Sequence, residues 1–187
     1  MDASVDGLSD ESLVKAVAAG DDGAFEELVR RHKRGVARTA SRFARNSQEL
    51  DDICQDIFIK AYTHIGSFRG EAPFGHWLMR IAVRTCYDYL RARMRERGNV
   101  PLELVDFSLG GPSTESDMSA REARDILDKA LPRLKPDERM VITLLELEEL
   151  TVREVAGLTG WSEANVKVRA FRARNALRKL IGDGDGH

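Results

Sequence analysis

The chain has 187 residues, which suits one domain of ordinary size or two small ones. Its 42% hydrophobic residues can build real cores, and its 32% charged residues predict a strongly ionic surface. The formal net charge of -2 conceals an uneven distribution, because residues 163–181 hold six basic residues and one acidic residue, whereas residues 1–20 and 98–123 are acidic. This alternation favours a polyanionic partner that is bound by particular faces of the protein.

Several classes of protein are excluded by what the sequence lacks. Cys54 and Cys86 match no metal-ligand spacing and cannot form a disulfide framework, which predicts a reducing compartment. The acidic N-terminus lacks the apolar core of a signal peptide, and no apolar run approaches the roughly 18 residues of a membrane span. We therefore expect a soluble protein that works in the cytoplasm.

Apolar residues recur at spacings of three and four and never alternate as in a strand, so the sequence predicts an all-α fold. The first predicted helix is capped by Ser9 or Asp10 and runs through Ala18. The second begins at about Asp22 and has an inward stripe that extends to Phe43. A third is capped by Ser47 and runs to about His64. A turn at 66–73 leads to a fourth, from about Phe74 to Arg95.

The helical pattern dissolves between residues 98 and 119, where Gly, Pro, Ser and acidic residues are typical of a flexible linker. We therefore predict two small helical domains, 1–97 and 120–187, joined by an acidic linker at 98–119. The alternative is a long surface loop within one domain. The second domain is predicted to contain helices at 121–131, 136–148, 152–158 and 163–181.

The segment 151–180 has the length, the capping residues and the turn residue of a helix-turn-helix motif. Thr151 and Glu154 form a capping box, Gly160 lies in a turn, and Ser162 caps the last helix. Six cations on that helix, with only Glu163 to neutralise them, favour a contact with DNA phosphates and guanine edges. The alternative is a cationic helix that faces solvent.

Two further surfaces lie on the third and fourth predicted helices. The turn around Phe68, Phe74 and Trp77 suits the stacking of unpaired bases, although the same rings could simply fill the core. The carboxylates and amide at 51–56 form a polar face opposite Ile53 and Ile57. They favour either a helix N-terminus that gains from its macrodipole or a surface for a basic partner protein.

No arrangement of residues predicts catalysis. His32, His64, His76 and His187 are scattered, and neither a phosphate-binding loop nor a dinucleotide-binding motif occurs. We therefore expect no catalytic residue, no metal site and no cofactor.

At these residues the chain resembles a bacterial sigma factor of the extracytoplasmic-function (ECF) type. LDDICQDIFIKAY at 50–62, SFRGEAPFGHWLMRIA at 67–82 and DYLR at 88–91 resemble sigma region 2, and the stretch 131–180 resembles region 4. The resemblance implies a non-catalytic subunit that binds core RNA polymerase, at the β′ clamp helices and the β flap, and gives it promoter specificity. An anti-sigma factor is the further partner that it implies.

The resemblance also implies roles for individual residues. Docking on the β′ clamp helices would fall to Asp51, Asp52, Gln55 and Asp56. Recognition and opening of the promoter −10 element would fall to Phe68, Arg69, Phe74, His76, Trp77, Arg80 and Arg84. Recognition of the −35 element would fall to Ser162, Asn165, Lys167, Arg169, Phe171 and Arg172.

Two residues depart from the family pattern. Arg84 stands where the family usually has Asn, which predicts a phosphate contact or a changed base preference near the −10 element. Val168 stands where a serine is common, so a polar contact is replaced by an apolar one, such as a thymine methyl group. The alternatives to a sigma factor are a free-standing helix-turn-helix regulator and a helical adaptor with no role on DNA.

Overall fold

The computed structural model describes residues 7–97, 126–127 and 129–182. Within these ranges the chain forms helices and turns and no strand, which confirms the all-α prediction. The chain divides into two compact units, Met1–Cys86 and Tyr87–His187, and the boundary falls inside the fourth helix. The predicted linker at 98–119 lies outside the described residues, so the domain limits drawn from the sequence stay a prediction.

The first unit contains α1 (Asp10–Ala18), α2 (Asp22–Ser41), α3 (Ser47–Thr63) and a 3₁₀ turn at Ile65–Ser67. It also contains the first half of α4 (Phe74–Arg97), up to Cys86. Of the two predicted caps of α1, it is Ser9 that accepts the Ser12 N–H, and Asp10 is already helical. The predicted cap of α3 is wrong by one residue. Asn46 accepts the Glu49 N–H at 2.8 Å, and Ser47 is already helical, because an amide oxygen serves an N-cap at least as well as a hydroxyl.

The core of the first unit is built from the apolar stripes of these helices. Its largest fully buried side chains are Leu13, Leu28, Val36, Phe43, Ile53, Ile57, Phe74, Leu78 and Val83. Because these residues recur at helical spacing, each helix keeps its opposite face for charged side chains.

One carboxylate of the first unit is drawn close to the core. Glu27 on α2 is only 8% exposed, and it accepts hydrogen bonds from Arg30 at 2.6 Å and from Arg31 at 2.6 Å. Hydrogen bonds from Arg30 and then from Arg31 lower the pKa of Glu27 to about 2. Two guanidinium groups thus compensate a carboxylate that an isolated buried position would not tolerate.

The second unit contains a 3₁₀ turn at Leu131–Arg133 and three α-helices beyond it, α5 (Pro136–Ile142), α6 (Val152–Thr159) and α7 (Glu163–Gly182). The helix predicted over 136–148 changes pitch. Residues Thr143–Leu147 form a π-helical turn, in which the Glu148 N–H donates to the Thr143 carbonyl at 3.0 Å. The helix predicted over 121–131 lies mostly outside the described residues.

The core of the second unit lies between α5 and α7. Its buried apolar residues include Leu131, Leu134, Met140, Val141, Leu144, Val155, Val166, Ala170 and Ala173. Alanines on α7 allow close approach of α5 at this contact. No helix in the described part of the chain combines the length and the apolar character needed to cross a membrane.

Replacing Glu27 by Gln should lower the free energy of unfolding at neutral pH. Since the folded pKa of Glu27 is about 2, against an ordinary 4.5, this stabilisation is complete above the unfolded pKa and disappears as the pH falls toward the folded one. Urea unfolding should therefore show a larger difference between the two proteins at about pH 7 than at about pH 3. The exposed neighbour Glu26, changed to Gln, is the control. An equal difference at both pH values would contradict the prediction.

Candidate nucleic-acid interface

The acidic face of α3 consists of Asp51, Asp52, Gln55 and Asp56. The first three are exposed and Asp56 is half-buried. Lys60 lies one turn further on and pairs with Asp56 at 3.0 Å, and its ammonium group also donates to Thr85 Oγ1 at 3.3 Å. Asp51 and Asp52 are therefore the carboxylates of this face that form no ion pair within the described residues.

The acidic face continues into an apolar end that the sequence analysis missed. Ile59 is 55% exposed and Tyr62 is 45% exposed, although both are large and hydrophobic. The Tyr62 ring packs edge-on against Phe25, with 5.0 Å between ring centroids, and its hydroxyl donates to Asp22 at 2.7 Å. The signal was present in the sequence, because Ile59 follows Gln55 by four residues and falls off the stripe that contains Ile53 and Ile57.

The half-buried Cys54 lies beside this face. Burial of the thiol and, less strongly, the nearby Asp51 carboxylate raise its pKa. Both effects disfavour the thiolate, so Cys54 is a small packing residue with a protonated thiol.

The aromatic turn between α3 and α4 contains three rings in mutual contact. Phe68, Phe74 and Trp77 have ring centroids 5.5 to 5.7 Å apart. Phe74 is only 2% exposed, so for this residue the packing alternative is favoured, whereas Phe68 and Trp77 are half-buried and keep exposed area. Gly70 adopts φ of 73° in the turn, a left-handed conformation that glycine accepts without strain.

Basic side chains flank the aromatic turn. His76, Arg80 and Arg84 are exposed and follow one another at intervals of four, which places them along one face of α4. Arg69 is exposed within the turn itself. His76, Arg80 and Arg84 therefore share one face of α4, and Trp77 and Arg80 lie one turn apart on that helix.

The helix-turn-helix has the local geometry that its sequence predicts. Thr151 Oγ1 accepts the Glu154 N–H at 3.3 Å while the Glu154 carboxylate accepts the Thr151 N–H at 2.8 Å, which completes the capping box. Gly160 ends α6 with φ of 78°. Ser162 Oγ accepts the Asn165 N–H at 3.2 Å and caps α7.

The exposed face of α7 is mixed in character. Asn165, Lys167 and Arg172 are exposed. Val168 and Phe171, which follow each other by three residues, are 49% and 66% exposed. Lys167 and Arg172 form no ion pair within the described residues, so both can contribute their full charge to a partner.

Arg169 differs from its neighbours on α7, because its guanidinium group is already engaged. Its Nε donates to Asp137 on α5 at 2.9 Å, its Nη1 donates to Asn165, and its centre lies 4.2 Å from the Trp161 ring centroid. Such an arrangement combines a charge-assisted hydrogen bond with a cation–π contact. Sequence reasoning missed this set of contacts, since Asp137 is distant in the chain.

Asp137 also accepts a hydrogen bond from the Tyr87 hydroxyl at 2.5 Å. Burial acts to raise the pKa of Asp137, but the hydrogen bonds from Tyr87 and Arg169 outweigh it and the net shift is downward. Burial and the Asp137 hydrogen bond raise the pKa of Tyr87 to about 12. Asp137 is therefore an ionised acceptor between a neutral phenol and a guanidinium group.

Acidic residues outside α7 offset two of its six cations. Asp137 pairs with Arg169, and Glu146 of the π-helical turn pairs with Arg174 at 2.7 Å. Tertiary contacts thus supply anions that a survey of one helix cannot find. In the described part of the chain, no group of three or more His, Cys, Asp or Glu side chains is placed to hold a metal ion.

Comparison with known proteins gives concordant matches to both units. The family model for Sigma-70 region 2 matches residues 28–96, and that for Sigma-70, region 4 matches residues 124–177. The ECF RNA polymerase sigma-E factor of Escherichia coli (strain K12) is 38% identical over 182 residues, which cover 93% of this chain and 95% of that protein. The chain belongs to the ECF RNA polymerase sigma factors.

This ECF sigma factor is therefore a non-enzymatic transcription initiation factor, an alternative sigma factor that binds core RNA polymerase and directs promoter-specific transcription. A free-standing helix-turn-helix regulator is not favoured, because the relatives share region 2 as well as region 4. The same matches argue against an adaptor with no role on DNA.

Two solved structures resemble this ECF sigma factor in fold. CnrH, solved in complex with the cytosolic domain of CnrY, has a TM-score of 0.61 and 27% identity, with coverage of 93% of this chain and 97% of that one. The sigma factor RpoE from Bartonella quintana, solved with the anti-sigma factor NepR, has a TM-score of 0.60 and 23% identity, with coverage of 84% and 96%.

Two glycines three residues apart in the helix-turn-helix should respond in opposite ways to the addition of a methyl group. Gly160→Ala should destabilise the protein by about 1 kcal/mol, because φ of 78° is unfavourable for alanine. Gly157→Ala in α6 should stabilise it by about 0.5 to 1 kcal/mol, since a Cβ there meets nothing within 4 Å. Thermal unfolding measures both. Equal effects of the two substitutions would contradict the backbone argument.

Proposed function

We propose that this ECF sigma factor uses three separate surfaces during initiation. The acidic face of α3 docks on the clamp helices of the polymerase β′ subunit, the aromatic turn with the basic face of α4 reads and opens the −10 element, and α7 enters the major groove at the −35 element. The observation that carries the proposal is that α3 and α7 each expose charged side chains, without an ion pair among the described residues, on the face opposite their buried apolar stripe. Run-off transcription with core polymerase and a promoter library, with and without the protein, tests it.

The docking role of α3 is supported by its unpaired carboxylates. Asp51 and Asp52 carry the attraction to a basic surface, since Lys60 already neutralises Asp56. Ile59 and Tyr62 extend the same helix with apolar area that can be removed from water on binding. Apolar area that adjoins charged residues is a common composition for a protein–protein contact.

The −10 role is supported by the different burial of the three rings of the aromatic turn. Phe74 is buried and serves as the support, while Phe68 and Trp77 keep the exposed area on which unpaired bases can stack. His76, Arg80 and Arg84 supply positive charge along the path of the backbone phosphates. Arg84 carries a positive charge and a planar fork that suit a phosphate or a guanine edge, whereas the neutral amide of an asparagine at this position would suit an adenine edge.

The −35 role is supported by the pairing pattern on α7. Lys167 and Arg172 are exposed and form no ion pair among the described residues, so they are suited to phosphate and base contacts. Val168 and Phe171 are suited to apolar contacts such as thymine methyl groups. Arg169 must share its guanidinium group with Asp137 or exchange that partner for DNA, whereas Ser162 and Asn165 lie at the N-terminal end of the helix.

Two further partners belong to this proposal. The β flap of the polymerase is proposed to hold the second unit, and an anti-sigma factor is proposed to cover the working surfaces in the inactive state. The second idea is supported by the fold shared with the Bartonella quintana sigma factor, whose solved structure includes the anti-sigma factor NepR. The proposed place of action is the cytoplasm, where the bacterial polymerase and its template are found.

Asp52→Arg should weaken binding of the full-length protein to core polymerase by about tenfold or more, because it places a like charge against a basic partner. Its affinity for −35 duplex DNA should be unchanged, since Asp52 lies on α3 and not on α7. Fluorescence titration of labelled protein measures both affinities. Glu26→Arg, at an exposed position of α2, is the matched control. Loss of both affinities in Asp52→Arg would contradict separate roles for the surfaces.

Arg172→Ala should cost about 1–3 kcal/mol in −35 binding and relax specificity at one base pair if the contact is bidentate to a base. Lys167→Ala, as a phosphate contact, should instead weaken all sequences alike and reduce the salt dependence of binding. Titration with a set of single-base variants of the −35 element at several salt concentrations distinguishes the base contact from the phosphate contact. Lys179→Ala, at an exposed position near the end of α7, is the control. An equal loss of affinity for all DNA sequences in Arg172→Ala would show that Arg172 contacts the DNA backbone and not a base.

A further inference from the structure

His32 on α2 connects α1 to the start of α4. Its Nε2 lies 2.8 Å from Asp10 Oδ2, and its side chain is 23% exposed. The other side of the ring meets Phe74 in an edge-on contact, with 5.3 Å between ring centroids. The imidazole therefore stands between a carboxylate of α1 and the ring that supports the aromatic turn.

The Asp10 carboxylate is itself held in one orientation. Asp10 is the first residue of α1, and its second oxygen, Oδ1, accepts a hydrogen bond from Arg31 Nη1 at 3.1 Å. The same Nη1 donates to the Leu8 carbonyl at 2.7 Å, and Arg31 Nε donates to Glu27 at 2.6 Å. Because both carboxylate oxygens are used, Asp10 can hold His32 in a fixed position.

The contact between His32 and α4 leaves little room for a side chain at position 75. A Cβ built on Gly75 would lie 3.3 Å from His32 Cε1 and 3.6 Å from Nδ1. Gly75 follows Phe74 directly, and these are the first two residues of α4. A shift of the imidazole would therefore be transmitted to the first turn of α4, which contains Trp77 and precedes Arg80 and Arg84.

We infer that His32 is a positioning residue for the −10-reading turn, and that Asp10 of α1 sets its position. The inference rests on the proposed −10 function of the turn. It adds that α1, which carries none of the proposed DNA contacts, influences the position of the turn. A residue that only filled space here would be apolar. The imidazole Nε2 instead lies within hydrogen-bond distance of the Asp10 carboxylate, which Arg31 already orients.

The test uses full-length protein bound to core polymerase. The ligand is a labelled single-stranded oligonucleotide that carries a −10 sequence selected by the wild-type holoenzyme from a randomised pool. His32→Leu keeps the volume of the ring but removes the hydrogen bond, and Asp10→Asn removes the charge of its partner. The matched controls are His64→Leu, at the exposed end of α3, and Glu11→Gln, an exposed neighbour of Asp10.

Both test variants should bind the oligonucleotide about tenfold more weakly, which corresponds to the misplacement of about one stacked base. Their affinity for core polymerase should stay within about twofold of wild type, because the acidic face of α3 does not contact His32. The controls should match wild type in both measurements. A thermal unfolding scan of each variant shows whether it is folded at the assay temperature.

A double-mutant cycle tests the contact itself. Gly75→Ala alone should weaken oligonucleotide binding, because the added Cβ presses on the imidazole. In a His32→Ala background the same change should have little further effect, so the two effects should not be additive. Full additivity would overturn the inference.

The outcomes separate the inference from the function on which it rests. Wild-type protein that fails to bind core polymerase or any oligonucleotide would overturn the proposed function. Wild-type protein that binds both, with test variants that bind the oligonucleotide equally well, would overturn the positioning role alone. A parallel loss of polymerase and oligonucleotide binding in folded variants would show a general structural role for His32 and would also overturn the inference.

Discussion

The constraint on which the candidate surfaces depend is the helical period of 3.6 residues. Because of this period, one apolar stripe of each helix packs against the core and the opposite face is left to solvent. On α3 the stripe of Ile53, Ile57 and Ala61 is fully buried, and this burial turns Asp52 and Ile59 toward solvent. On α7 the stripe of Val166, Ala170 and Ala173 does the same for Lys167 and Phe171. The packing that stabilises each unit therefore also determines which side chains a partner can reach.

Local signals could be predicted from the sequence because their physics is local. The cap at Ser9, the capping box at Thr151 and the left-handed Gly160 each depend on atoms within a few residues of one another. The division of α3 and α7 into inward and outward faces also follows from spacing alone. The error at Ser47 shows the limit of this reasoning, since two adjacent residues can both cap and only the backbone decides between them.

Contacts between distant segments could not be predicted in this way. The inward position of His32 follows from the period of α2, but its partner Asp10 lies 22 residues earlier and only the packing of α1 on α2 brings the two together. The pairing of Arg169 with Asp137 is hidden for the same reason, at a separation of 32 residues. The change to π-helical pitch at Thr143–Leu147 has no clear signal in residue type, since its apolar residues suit an α-helix equally well.

The thiol of Cys54 has a consequence for the chemistry of its surroundings. Peroxides and disulfides react with the thiolate form of cysteine, and burial together with Asp51 keeps this sulfur protonated at neutral pH. The acidic face therefore carries, within one turn of its exposed carboxylates, a cysteine whose thiolate form is disfavoured. The Asp51 carboxylate, for which we propose a role in attracting a basic partner protein, thus also disfavours the reactive thiolate form of the neighbouring sulfur.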